Sequence, residues 1–324
     1  KGGHCDGDLI LDYCLHSLDS TTHETIEYQV KSLRINTSYS HGGGCSFATA
    51  LSSFLAHGYL LRDAFTLTKA FINQGLSKRS EELDYYGAFE QGSWPKHPDD
   101  FPQVCSALNQ QYENLPAFPS LALTDKLGLY PVVDSIEWLQ RLLPLNLNII
   151  QLRLKNKTTA ELEQIIAEAV AISRKFDTRL FINDYWQLAI KHNAYGVHIG
   201  QEDLQDADLT AIQQAGIRLG ISTHGCYEFL LAQQLKPSYL AVGAIFPTKT
   251  KDMTGQIQGV DNLTQLLNLS DDIPVVAIGG INLDRAQEVW QTGVESIAVV
   301  TAITEAGDYQ QAVQNFQKII NNAG

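Results

Sequence analysis

The segment Asn148-Ile149-Ile150-Gln151-Leu152-Arg153-Leu154-Lys155 alternates with a period of two. That period marks a strand, with Gln151, Arg153 and Lys155 on one face and Ile150, Leu152 and Leu154 on the other. The chain then passes Thr158 into a stretch where Leu162, Ile165, Ile166, Ala169 and Ile172 recur at helical spacing. A strand followed by a helix is the unit of a parallel sheet, whose faces are normally both covered. The apolar face is then expected to pack on helices, while an amide and two cations face a barrel or crevice at the strand's C-terminal end. Ligands of α/β enzymes bind there. Two cations side by side in such a place point to a polyanion, most simply a phosphate or pyrophosphate. A solvated edge strand is the competing reading, and the surrounding sequence decides between them.

From Leu129 onward the same grammar repeats. Strands are expected at Leu129–Val133, Asn148–Arg153, Arg179–Ile182, Tyr195–Ile199, Arg218–Ile221, Tyr239–Gly243, Val275–Ile278 and Ser296–Val300. Helices fall between them, at Ile136–Leu143, Thr158–Lys175, Leu209–Ala215 and Leu283–Thr292. Eight alternations in this length fit a (β/α)8 TIM barrel better than an open sheet. No G-x-G-x-x-G follows a first strand, which argues against dinucleotide binding.

Polar residues collect at the strand ends. The third strand ends Asn183-Asp184, the fourth runs through His198-Ile199-Gly200 into Gln201-Glu202-Asp203, and the fifth ends Ser222-Thr223-His224. Thr248-Lys249-Thr250-Lys251 follow the sixth. Carboxylates at neighbouring strand ends can share a Mg2+ ion with substrate oxygens and water. Asp184 and Asp203 are the candidate ligands, Glu202 competes, and helix capping is the alternative use of such residues. Gly279-Gly280 after the seventh strand, and Val300-Thr301 where the eighth opens onto a helix, are where barrels commonly hold phosphate. Two anion sites are therefore expected: a monophosphate at strands seven and eight, and a more highly charged group near strands two to four.

Six motifs in order, Gln151-Leu152-Arg153-Leu154-Lys155, Ile182-Asn183-Asp184, His198 to Asp203, Thr248 to Lys251, Ala277 to Ile281 and Val300 to Ile303, resemble the thiamine-phosphate synthase family. The resemblance spans essentially everything from Leu129 on. It implies transfer of the hydroxymethylpyrimidine group from its diphosphate to thiazole phosphate, with pyrophosphate released. It assigns Gln151, Arg153, Lys155, Asn183, Ser222 and Lys251 to the pyrimidine diphosphate. Asp184 and Asp203 match the Mg2+ ligands, and Thr248, Thr250, Gly280, Val300 and Thr301 match the thiazole-phosphate site. Arg153, Lys155 and Lys251 are then the residues that stabilise the departing charge. Thr301 stands where the family usually has serine. No nucleophilic side chain is required, which agrees with the absence of a Ser-His-Asp set. Cys226, near His224, reads as a packed small residue.

The amino-terminal third is built otherwise. The chain opens Lys1-Gly2-Gly3-His4 rather than with methionine, and is expected to be a fragment or processed portion of something longer. A strand is expected at Leu33–Thr37, followed by Ser40-His41-Gly42-Gly43-Gly44-Cys45-Ser46 and a buried helix from Phe47 to Ala56. Glycines ahead of a helix can offer backbone N–H groups to an anion. They also occur for conformational reasons alone. The order His-Gly-Gly-Gly-Cys before a small-residue helix resembles the C-terminal part of hydroxymethylpyrimidine (phosphate) kinases, of the ribokinase-like fold. That resemblance covers about residues 1–75 and gives Gly42, Gly44 and Cys45 the anion-hole and base positions. Gly43 departs from the usual threonine. Most of the pyrimidine pocket has no counterpart here, so no kinase turnover is expected. Residues 76–120 read as a connecting segment with short helices near Leu83 and Val104, anchored by Trp94 and Phe101. The barrel domain follows at 121–324.

Composition bounds the function. A formal net charge of −13 argues against non-specific nucleic-acid binding, and 44% hydrophobic residues support sizeable cores. No apolar run reaches spanning length and no signal peptide is legible, so a cytoplasmic protein without a membrane partner is expected. Five scattered cysteines read as reduced thiols, and nine histidines make no zinc spacing. The partners expected are small phosphorylated substrates; oligomeric state is not legible. The competing functions are a thiazole tautomerase, a non-catalytic binding protein, and a bifunctional kinase/synthase in a longer parent chain.

Overall fold

A computed structural model of the protein describes residues 7–17, 25–77, 87, 89–121, 126–248, 257–270 and 272–322. They divide into two units, 1–111 with 225–231, and 112–224 with 232–324. In the first unit β1 (Leu9–Ser17) pairs antiparallel with β2 (Thr25–Leu33), and β2 pairs antiparallel with β3 (Gln103–Cys105). The strand expected at Leu33–Thr37 is a correction: β2 ends where it was to begin, and Arg34 instead closes the hairpin through its N–H to the Asp8 carbonyl. Strand β1 escaped the sequence reading because it lacks a clean polar face. Leu9, Leu11, Tyr13 and Leu15 are exposed on one side, while the other side carries a buried Asp12 held by Lys69 at 2.8 Å.

The helix Gly43–Ala56 forms as expected but is mostly exposed, with only Ser46 and Phe54 buried. The helix that fills this unit is Leu61–Ser77, whose Phe65 joins Val30, Val104, Tyr227 and Leu231 in its core. Val104 lies in β3, and the short helix expected near it is Ala107–Gln111. Trp94 is anchored within the unit against Phe54 and Tyr59, with ring centroids 4.9 and 5.6 Å away. The opening Lys-Gly-Gly-His and the helix expected near Leu83 lie outside the described residues.

The second unit is a closed parallel barrel. Its strands are β4 (Gly128–Val133), β5 (Ile149–Leu152), β6 (Arg179–Asn183), β7 (Gly196–Ile199), β8 (Arg218–Thr223), β9 (Tyr239–Val242), β10 (Val275–Ile278) and β11 (Ser296–Val299). Each pairs with its neighbour in sequence, and β11 closes on β4. All eight expected strands are present, with ends displaced by at most two residues. The helix after β5 runs Thr159–Ser173 and starts at a capping box: Glu161 N–H donates to the Thr158 hydroxyl, and Thr158 N–H to the Glu161 carboxylate.

Tyr130, Phe181 and Tyr239 pack edge to face in the barrel interior with Val132, Ile149, Ala241, Val276 and Ala298. The bulk is accommodated by glycines on the adjacent strands. A Cβ at Gly196 would meet the Phe181 ring at 2.3 Å, and one at Gly220 the Tyr239 ring at 2.2 Å. Truncating such a buried ring typically costs about 3–5 kcal/mol. No described helix is long and apolar enough to cross a membrane.

Candidate active site

The site grows from the C-terminal ends of β5, β6 and β7. Strand β5 stops at Leu152, so Arg153 and Lys155 lie just beyond it rather than within it. Arg153 N–H still donates to the Val133 carbonyl at 2.7 Å, which keeps the alternation going: Arg153 is half-buried, Leu154 buried and Lys155 exposed. Asp184 follows β6 with φ of 65°, a left-handed conformation that aspartate tolerates better than most residues. Its N–H is held by the His198 carbonyl at 2.9 Å, and Asn183 donates its amide to the Asp184 carboxylate. Asp203 sits in the short helix Gln201–Leu204 after β7.

The carboxyl of Asp184 is pushed up to about 6. Burial is the larger cause, and the negative charge of Asp203 adds to it, against the pull of Arg153, the Gly200 N–H and Asn183. Two acids and a guanidinium from three strand ends are thus brought into one electrostatic neighbourhood. Neither acid caps a helix, since the capping positions are Tyr185 and Gly200. Among the described residues no set of three or more His, Cys, Asp or Glu side chains could hold a metal by itself. A cation at Asp184 and Asp203 would need further oxygens from ligand or water, which suits magnesium.

Below this mouth a line of polar groups runs through the apolar barrel. Gln151 donates its side-chain N–H to the Tyr130 hydroxyl at 3.1 Å, and the Tyr130 and Tyr239 hydroxyls are 2.9 Å apart. His198 Nδ1 lies 2.7 Å from the Tyr239 hydroxyl and its Nε2 lies 2.8 Å from Ser222 Oγ. Burial, with a smaller push from Arg153, lowers His198 to about 3, so the ring is neutral. Ser222 itself is half-buried, and Gln201 donates to its carbonyl at 2.7 Å. Sequence reasoning had quoted His198 without a role and passed over Tyr130 and Tyr239 as strand apolars. The available signal for Tyr239 was Gly220 on the strand beside it; Tyr130 has no such glycine to mark it.

On the other side of the barrel, Gly280 has φ of 65°, and a Cβ there would meet the Pro247 carbonyl oxygen at 2.5 Å. Phe246 N–H donates to the Gly279 carbonyl at 3.0 Å, so the turn after β10 is laced to the segment leading into Thr248. Val300 precedes the short helix Thr301–Thr304, with Thr301 exposed. Thr250 and Lys251 lie outside the described residues, as does Lys249. Cys226 is buried, and its thiol is raised by that burial.

Closed parallel barrels carry their chemistry on loops at the C-terminal ends of their strands, and these side chains define the class here: a (β/α)8-barrel enzyme. The model of the thiamine monophosphate synthase family matches residues 129–303, and the chain belongs to that family. The phosphomethylpyrimidine kinase family model matches residues 1–89. A thiamine-phosphate synthase of Yersinia pseudotuberculosis is 53% identical over 205 residues, covering 63% of this chain and 94% of that relative. One from Salmonella choleraesuis is 52% identical, covering 63% of this chain and 96% of its own length. Among solved structures, thiamine phosphate pyrophosphorylase from Pyrococcus furiosus matches with a TM-score of 0.56 and 33% identity, over 61% of this chain and 98% of that one.

Proposed function

We propose that this chain is a thiamine-phosphate synthase, joining the hydroxymethylpyrimidine group of its diphosphate to thiazole phosphate and releasing pyrophosphate. The observation that carries the reading is the shared field of Arg153, Asp184 and Asp203 at three adjacent strand ends, in a chain of this family. Arg153 and Lys155, with Lys251 and Asn183, bind the diphosphate and orient it. Asp184 is raised by burial first and by the like charge of Asp203 second, and a bound cation would offset both; the residues therefore fit Mg2+. When bound, magnesium supplies charge neutralisation on the diphosphate oxygens. The C–O bond to the pyrimidine methylene breaks, and its electron pair leaves on pyrophosphate. The thiazole nitrogen then donates its lone pair to that carbon. Arg153 and Lys155 hold the growing negative charge, so the side chains do electrostatic work and form no covalent bond to substrate.

Gln151 and Ser222 face the pyrimidine, and Thr248, Thr250, Gly280, Val300 and Thr301 receive the thiazole phosphate. Gly280 is needed for the turn itself, since its φ is 65° and the Phe246–Pro247 backbone occupies the space a Cβ would take. The partners are these two small molecules, and the enzyme works in the cytoplasm. The test is incubation of the whole chain with both phosphorylated substrates and Mg2+. Equal amounts of thiamine phosphate and pyrophosphate are expected; a chain that binds both substrates and forms neither product would overturn the proposal.

A further inference from the structure

The buried chain of hydrogen bonds inside the barrel has a direction. An amide N–H can only donate, so Gln151 leaves the Tyr130 hydroxyl free to donate its own hydrogen to Tyr239. Tyr239, having accepted, donates to His198 Nδ1. With Nδ1 accepting, the ring hydrogen sits on Nε2, 2.8 Å from Ser222 Oγ, and His198 donates it there. Ser222 Oγ is thereby used as an acceptor, and its own hydrogen is left to point away from the histidine. Ser222 keeps a second lone pair, but its hydrogen is not drawn to the histidine and can be donated to a ligand.

We propose that Tyr239 and His198 are positioning residues: through the relay Gln151–Tyr130–Tyr239–His198–Ser222 they fix the Nε2–H tautomer of His198 and present Ser222 as a hydrogen-bond donor to a ring nitrogen of the pyrimidine substrate. The inference rests on the synthase reading for the identity of that substrate. The relay itself rests on four contacts between 2.7 and 3.1 Å. Its members lie where a lost partner is costly: Tyr130 and Tyr239 are at most 1% exposed and His198 is 6% exposed. Burial raises both phenols, so neither tyrosine ionises in the working range and the direction persists. A packing role alone would need no such ordered donors and acceptors.

Two measurements on the whole chain test this. Nitrogen-15 NMR of histidine-labelled protein reads the tautomer directly, the His198 signal being assigned by its loss in His198→Asn. A protonated Nε2 with a bare Nδ1 is expected, and the reverse overturns the relay. The second measurement is a double-mutant cycle on thiamine-phosphate formation. Tyr239→Phe keeps the ring and removes one hydroxyl, and is expected to lower kcat/KM for the pyrimidine diphosphate by roughly threefold to tenfold, the scale of one hydrogen bond. KM for thiazole phosphate should not move. Because the relay acts only through Ser222, Tyr239→Phe added to Ser222→Ala should cost nothing further, whereas added to Ser222→Thr it should cost its full effect. Losses that multiply in the Ser222→Ala background overturn the proposal, as does a Tyr239→Phe enzyme with lower thermal stability and unchanged kcat/KM. Wild-type turnover separates the two readings. If the wild type makes no thiamine phosphate the synthase reading fails, and the NMR result still decides the relay.

Discussion

The two units treat the same kind of sequence signal in opposite ways. In the barrel, short motifs at strand ends are held by a sheet that closes on itself, so a half-buried Arg153 and a raised Asp184 share one environment. In the amino-terminal unit the Gly42–Cys45 turn opens a largely exposed helix, and Cys45 is itself exposed. Among the described residues its sheet has three strands, and β1, at the edge of that order, shows Leu9 and Leu15 at 56% and 69% exposure. A turn can be copied by a few residues, but an electrostatically tuned pocket needs walls that exclude water. The difference teaches that a motif counts as a site only to the extent that its surroundings perturb it.

The largest expected effect lies in the barrel. Arg153→Lys keeps the charge and loses the planar fork, and is expected to lower kcat about a hundredfold, near 3 kcal/mol of transition-state stabilisation. Steady-state kinetics showing near-normal turnover would remove Arg153 from the site. Asp184→Asn should cost less at high metal: its activity is expected to recover partly as Mg2+ is raised, while Arg153→Lys stays insensitive. Titrating Mg2+ by calorimetry gives a readout independent of turnover, and unchanged binding in Asp184→Asn would break the two-carboxylate assignment.

In the amino-terminal unit the expected effects are on stability. Asp63 is buried, accepts the Tyr227 N–H at 2.8 Å, and is pushed up to about 6, chiefly by burial. Its folded value lies above its unfolded one, so the folded state binds the proton more tightly and loses stability as pH rises from about 4 to about 6. Asp63→Asn should therefore match the wild type in thermal unfolding at pH 4 and exceed it at pH 8, with a ceiling of about 3 kcal/mol. A stability difference that shrinks as pH rises contradicts this. The smallest expected effect is none: Cys45→Ala should leave thiamine-phosphate formation unchanged, and no phosphoryl transfer from ATP to hydroxymethylpyrimidine is expected. Turnover that vanishes in Cys45→Ala would make the two units functional equals.

The barrel was legible because each parallel strand is buried on both faces and so reads as a short apolar run between helical periods. Val275–Ile278 was placed to the residue, and the helical spacing of Leu162, Ile165, Ile166, Ala169 and Ile172 marked the helix after Thr158 without tertiary information. Strand β1 was not legible, since Leu9, Leu11, Tyr13 and Leu15 lie on a face that remains exposed and Asp12 on the one that is buried. Propensity has no access to an ion pair such as Asp12–Lys69, whose members are 57 residues apart in sequence (69 − 12).

By itself the sequence determined the strand-helix repeat, the order of the strand-end motifs and thereby the family, because period and local order are properties of neighbouring residues. Only the tertiary structure decided that Asp184 is raised by burial and by Asp203, and that Tyr130, Tyr239 and His198 join Gln151 to Ser222. It also decided that Tyr227 and Leu231 belong to the core of the amino-terminal unit. Burial and charge-charge distances depend on how far apart residues end in space, and separation along the chain does not fix them.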